Sequence, residues 1–88
     1  MDKPTKEDVY LIFSSNISYL REKHGITQEA FAHQLGISRE NLASYEEGRA
    51  TPHLPVLVSI SNKLDYGIDC LLTINIRDIE EVTLFTQK

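Results

Sequence analysis

Three histidines, one cysteine and two closely spaced aspartates are the first places to look for bond-making chemistry in this chain. A zinc centre needs three or four N, S or O ligands converging on one point. His24, His33 and His53 are spread over loop and helix-surface positions, without the spacing of a ligand set. A lone Cys70 excludes an intramolecular disulfide and any multi-cysteine metal site. Among Ile68, Leu71 and Leu72 it reads as a buried structural thiol. Asp65 and Asp69 are close enough in sequence to suggest paired carboxylates for acid–base work. Tyr66 and Gly67 between them read instead as a helix-ending turn. No Ser/His/Asp order, glycine-rich phosphate loop or HExxH run is present. The residue types therefore point away from an enzyme, a metal centre and a bound cofactor.

The elements that position side chains are legible from punctuation and period. Thr5 and Asp8 have the spacing of a capping box, after Pro4, with Asp in place of the preferred Glu or Gln. Val9, Ile12, Phe13, Ile17 and Leu20 follow at helical spacing, cations gather near the end, and Gly25 supplies the stop. This predicts a helix over residues 6–24. Thr27 caps a short helix from Gln28 to Leu35, ended by Gly36. Ser38 caps another over residues 39–46, ended by Gly48. Pro55 fits the first turn of a fourth, carrying Leu57, Ile60 and Leu64. Gly67 breaks the chain again, and residues 68–72 suffice for a fifth. Residues 73–88 are ambiguous. Leu72, Ile74 and Ile76 alternate with Thr73, Asn75 and Arg77, as do Val82 and Leu84, in the manner of a strand. Ile79, Val82 and Phe85 keep helical spacing, with Asp78 and Glu81 as a candidate cap and box partner.

Residues 28–47 form a twenty-residue unit with a specific internal logic. Two helices crossing steeply after a tight turn need a small residue at the crossing, supplied by Ala32. They need a residue tolerant of positive φ in the turn, supplied by Gly36. Leu35, Ile37, Leu42 and Tyr45 fill the wedge between them. This is a helix-turn-helix pattern, whose second helix can lie in the DNA major groove.

Over about residues 6–72 the chain resembles the phage repressor and Cro-like (XRE-type) helix-turn-helix family. The runs LREKHGIT, QEAFAHQLGIS and RENLASYEEGRATP carry the likeness, and Tyr-Glu-x-Gly-x-x-x-Pro is specific to that family among helix-turn-helix proteins. The resemblance implies an all-α, compact five-helix lambda-repressor-like DNA-binding domain over residues 1–72. A short tail over 73–88, strand or helix, follows as the expected dimerisation segment. It also implies a set of DNA-contacting residues. Gln28 would hold a phosphate at a helix N-terminus, where backbone N–H groups also face the anion. Ser38 and Arg39 would open the recognition helix, with Arg39, Glu40 and Ser44 nearest the base edges. Arg39 could grip guanine O6 and N7, and Glu40 could accept from cytosine N4. Asn41 would reach a phosphate or a base, and Arg49, after the helix, a phosphate. Arg21 and Glu46 occupy positions that pair in phage repressors, implying an ion pair between the first and third helices.

Composition constrains the mechanism. Eighty-eight residues with 41% hydrophobic and 25% charged residues read as one globular domain with a modest core. The longest apolar run is five residues, 9–13, no membrane partner is expected, and the acidic start does not read as a signal peptide. A reducing, cytoplasmic setting is expected. The net charge is −4. Over residues 27–53, Arg39 and Arg49 face Glu29, Glu40, Glu46 and Glu47, a net −2. That is less basic than an operator-binding surface usually is. A protomer with so few cations would neutralise about two to four phosphates, each steepening the log–log salt slope by about 0.9. Useful affinity for double-stranded DNA would then require a homodimer on half-sites ~34–36 Å apart. The leading expectation is a sequence-specific transcriptional regulator, with repression as its action. Two alternatives stand beside it: an antitoxin binding a toxin while regulating its own operon, and an acidic protein-interaction module, binding another regulatory protein, that has lost DNA binding.

Overall fold

Several helix starts in this chain are set by side chains that accept otherwise unpaired backbone N–H groups. The computed structural model describes the backbone of residues 5–86 and the side chains of residues 5–82. Pro4, Lys88 and the side chains of Leu84 and Phe85 lie outside the described residues. Thr5 Oγ1 accepts from the Asp8 N–H at 3.1 Å, and Asp8 Oδ2 accepts from the Thr5 N–H at 3.1 Å. That capping box opens α1 (Lys6–His24), which stops at Gly25. Thr27 caps α2 (Gln28–Leu35) through the Ala30 N–H, and Ser38 caps α3 (Arg39–Glu46) through the Asn41 N–H. The order is completed by α4 (Leu54–Leu64), α5 (Ile68–Thr73) and α6 (Ile76–Thr86). Among the described residues the architecture is entirely helical.

The α2–α3 turn depends on Gly36, whose φ is +73°. A Cβ there would also meet Lys63 Nζ at 2.9 Å, and that ammonium donates to the Leu35 carbonyl at 3.0 Å. So α4 supplies a cation to the C-terminal end of α2, where the helix dipole favours one.

The stop of α4 departs from the sequence reading. The positive φ falls on Asp65, at +60°, rather than on Gly67. Asp tolerates the left-handed region because its short polar side chain can hydrogen-bond locally. Gly67 instead has φ −62° and precedes the first residue of α5.

The core is built around α1. Phe13, Ile17 and Leu20 are fully enclosed, with Leu42 from α3, Ile60 from α4 and Leu71 from α5. Phe13 meets Tyr45 edge-on at 6.0 Å between ring centroids. Helix α1 packs chiefly on α5 and α3, and α2 packs on α3.

The tail resolves as a helix because of one amide. Asn16, fully buried in α1, donates from Nδ2 to the carbonyls of Leu71 and Ile74, both at 2.8 Å. Its Oδ1 accepts from the Ile76 N–H at 3.0 Å. One side chain thus caps the end of α5 and the start of α6, leaving only a two-residue break with Ile74 extended. Asp78 lies inside the first turn of α6 and does not cap it, correcting the sequence expectation. Glu80 then anchors α6. Its carboxylate accepts from Tyr19 at 2.5 Å and Lys23 at 2.9 Å on α1, and from Tyr66 at 2.6 Å before α5. Arg77 adds a cation–π contact, 5.0 Å above the Tyr19 ring.

Candidate nucleic-acid interface

The face of α3 that could meet a ligand is defined by what its other face buries. Leu42 and Tyr45 turn into the core, at 0% and 8% exposure. Arg39, Glu40 and Asn41, in the first turn, are exposed, and Ser44 one turn later is half-buried. Ser38 is exposed as the cap. A groove of about 520 Å³ runs beside this face, lined by Ser38, Asn41 and Ser44 on one side and Thr51 and His53 on the other. Among the described residues, Arg39 forms no ion pair or hydrogen bond through its side chain, so its guanidinium is open to a ligand.

The cant of α3 is set by Glu46. Its carboxylate is 7% exposed and accepts two bonds from Arg21, Nε to Oε2 at 2.7 Å and Nη2 to Oε1 at 2.9 Å. This parallel geometry is the strong form of the guanidinium–carboxylate pair. Arg21 Nη1 also donates to the Ile26 carbonyl at 3.0 Å, ahead of α2. The hydrogen-bonded carboxylate raises the affinity of the guanidinium for its proton, so Arg21 stays charged. The Ser14 hydroxyl donates to the backbone carbonyl of Glu46. Helix α1 therefore holds the C-terminal end of α3 from both side chain and backbone.

Gln28 belongs to the same network. Its Nε2 donates to Glu46 Oε1 at 3.1 Å, so the amide at the head of α2 faces a carboxylate in the free protein. Arg49 is likewise held, by Glu47: Nε and Nη2 both reach Oε2, at 3.1 and 2.8 Å. This pair is exposed, 63% for Arg49 and 53% for Glu47. The structure thus brings Arg21, Gln28 and Glu46 together on the inner side of α3. It sets Ser38, Arg39, Glu40, Asn41 and Ser44 on or beside the outer face, and Arg49 just beyond its end.

Sequence reasoning missed Asn16, Ser14 and the Glu80 cluster. Asn16 had a signal, since Phe13, Asn16, Ile17 and Leu20 follow the i, i+3, i+4, i+7 stripe of a buried face. An amide in that stripe needs partners. Glu80 had none, because its three donors come from two distant segments.

A match to the family described as Helix-turn-helix covers residues 17–69. The chain is 39% identical over 61 residues to the uncharacterized HTH-type transcriptional regulator YqaE of Bacillus subtilis, a stretch covering 69% of this chain and 53% of that protein. It is 36% identical over 61 residues to the SPbeta prophage-derived uncharacterized HTH-type transcriptional regulator YonR of the same bacterium, covering 69% and 56%. The chain spans about half the length of these curated relatives. Among solved structures it is similar to the hypothetical transcription factor NHTF from Neisseria, with a TM-score of 0.69 at 21% identity over 92% of this chain and 93% of that one. That likeness carries the fold, and the family match carries the helix-turn-helix motif. The chain belongs to the helix-turn-helix family of the phage repressor and Cro-like (XRE) type.

Proposed function

We propose that this chain is a sequence-specific, DNA-binding transcriptional regulator, acting as a repressor, that inserts α3 into the major groove as a homodimer. The observation that carries this reading is the outer face of α3, where Arg39, Glu40 and Asn41 project from a helix locked at its far end by Glu46. Arg39 and Glu40 read base edges, and Asn41 and Ser44 contact bases or phosphates. Ser38 and Gln28 sit where the first turns of α3 and α2 present backbone N–H groups to phosphate. Arg49 supplies a further phosphate contact. Catalysis has no part in this reading, and the cytoplasm is its setting.

Dimerisation supplies the affinity that few cations per protomer withhold. The DNA-binding unit is residues 1–72, and residues 73–88 form the dimer contact. Ile79 and Val82 on α6 are 51% and 60% exposed, so an apolar side of that helix is turned outward. Selection of sites from a random DNA pool tests the reading. The wild type should enrich a two-fold symmetric sequence. Arg39→Ala should cost about 1–3 kcal/mol on that site and relax preference at one position per half-site. Enrichment of no sequence, or an Arg39→Ala profile identical to wild type, would overturn base reading by α3.

One observation favours a second reading. Gln28 and Arg49 are both engaged by carboxylates in the free protein, as a surface with a protein partner would allow. A protein-interaction module, or an antitoxin seated on a toxin, would bind that partner with no DNA in graded-salt titrations, or with DNA and partner together.

A further inference from the structure

Within residues 27–53 the cations are Arg39 and Arg49, and the structure treats them oppositely. Arg39 is open. Arg49 is held by two of its nitrogens on a single oxygen of Glu47, two residues away. The Arg49 N–H donates to the Ser44 carbonyl at 3.0 Å, which fixes the backbone of Arg49 against the end of α3. Only its side chain is left to choose a partner. Glu47 closes α3 in a right-handed helical conformation, and its side chain faces solvent.

Resting on the DNA-binding reading above, we propose that Glu47 is a positioning residue that withholds Arg49 from DNA until the cognate site is engaged, so that the cognate complex uses one phosphate contact more than the non-specific one. The physical reason is competition for one guanidinium. An exposed carboxylate–arginine pair is weak, about 0–1 kcal/mol, and is exchangeable. Non-specific binding is almost wholly phosphate contact, so every cation withheld weakens it directly. On the cognate site, base contacts by α3 fix the register of the protein on the duplex. A phosphate is then held beside Arg49 and displaces the carboxylate. The cation is present in both complexes but is used in one.

The test measures affinity against salt for wild type, Glu47→Gln, Arg49→Gln and the double variant, on the selected site and on a scrambled duplex. Glu47→Gln should raise scrambled-duplex affinity about two- to fivefold, the range set by an exposed ion pair. It should also steepen the scrambled-duplex slope of log K against log salt by about 0.9, one extra phosphate. The slope on the selected site should stay unchanged while its affinity rises at least as much, because the pair no longer has to be broken there, so the two slopes converge. In the Arg49→Gln background, Glu47→Gln should leave both slopes where they are, which separates delivery of Arg49 from simple removal of a negative charge. Glu47 is exposed and makes no core contact, so these variants should fold as wild type. Equal slope changes on both duplexes, or the same effect with Arg49 absent, would overturn the proposal while leaving DNA binding intact. Failure of the wild type to bind any duplex would overturn the DNA-binding reading and this proposal with it.

Discussion

Glu46 connects three helices through one carboxylate, and that explains why its removal should cost more than one hydrogen bond. Truncation to alanine strands the Arg21 guanidinium and the Gln28 amide together. Removing one partner of a buried ion pair costs about 3–5 kcal/mol. Arg21 retains 22% exposure and recovers some hydration, so Glu46→Ala should cost about 2–4 kcal/mol in urea denaturation. Gln28→Ala should cost about 1 kcal/mol or less, since the ion pair survives it. Equal losses for the two variants would deny Glu46 its central place. The sequence made much of this scale legible, because the Tyr-Glu-x-Gly run marks Glu46 and the end of α1 marks Arg21. It could not make the free-state partners of Gln28 and Arg49 legible. The resemblance assigns those side chains to phosphates, whereas in the structure Glu46 accepts from Gln28 and Glu47 from Arg49.

Among the elements, helices marked by a cap, proline or glycine of their own were readable and the helix capped from a distance was not. Thr5, Thr27 and Ser38 announce α1, α2 and α3, and the bounds read from them coincide with the observed ones. Helix α4 begins at Leu54, one residue before the proline that marked it. Helix α6 draws its cap from Asn16 and its anchor from Glu80, so local pattern left strand and helix balanced. The anchor makes a pH prediction. Hydrogen bonds from Tyr19, Tyr66 and Lys23 hold the Glu80 carboxyl down to about 2. In the unfolded chain it returns to the usual carboxylate range, so the unfolded state binds the proton more tightly. Its contribution to stability is therefore full above about pH 5 and is lost as the pH falls through about 2. Tyr66, bonded to the same carboxylate, is pushed up to about 12, so its share is full below about pH 10 and is lost as the pH rises from there through about 12. Glu80→Gln should lower Tm at neutral pH and flatten the fall of Tm between pH 5 and 2. A variant whose Tm tracks wild type at a constant offset down to pH 2 would show that this cluster is not titrating.

For the molecule as a whole, charge and size act together. A net charge of −4 gives no basic field to draw the protein to DNA, which on the proposed homodimer reading places the burden on a few contacts repeated by symmetry. The described residues span 39 × 34 × 21 Å, so two copies abutting along either longer axis would have centres about one DNA turn apart. If α6 forms that contact, Val82→Asp should shift a dimer toward monomer in sedimentation while leaving the helical content unchanged, since Val82 is 60% exposed and outside the core. An unchanged mass would remove α6 from the interface. The buried amide of Asn16 carries a consequence for cooperativity. A first-turn N–H of a helix ordinarily frays and exchanges with solvent early. That of Ile76 is closed by a side chain sixty residues earlier in the chain, at the centre of the core. Its protection lasts only as long as α1 stays seated, so the start of α6 opens with the domain and not before it. A segment that looks like an appendage in the sequence thus unfolds as part of the body.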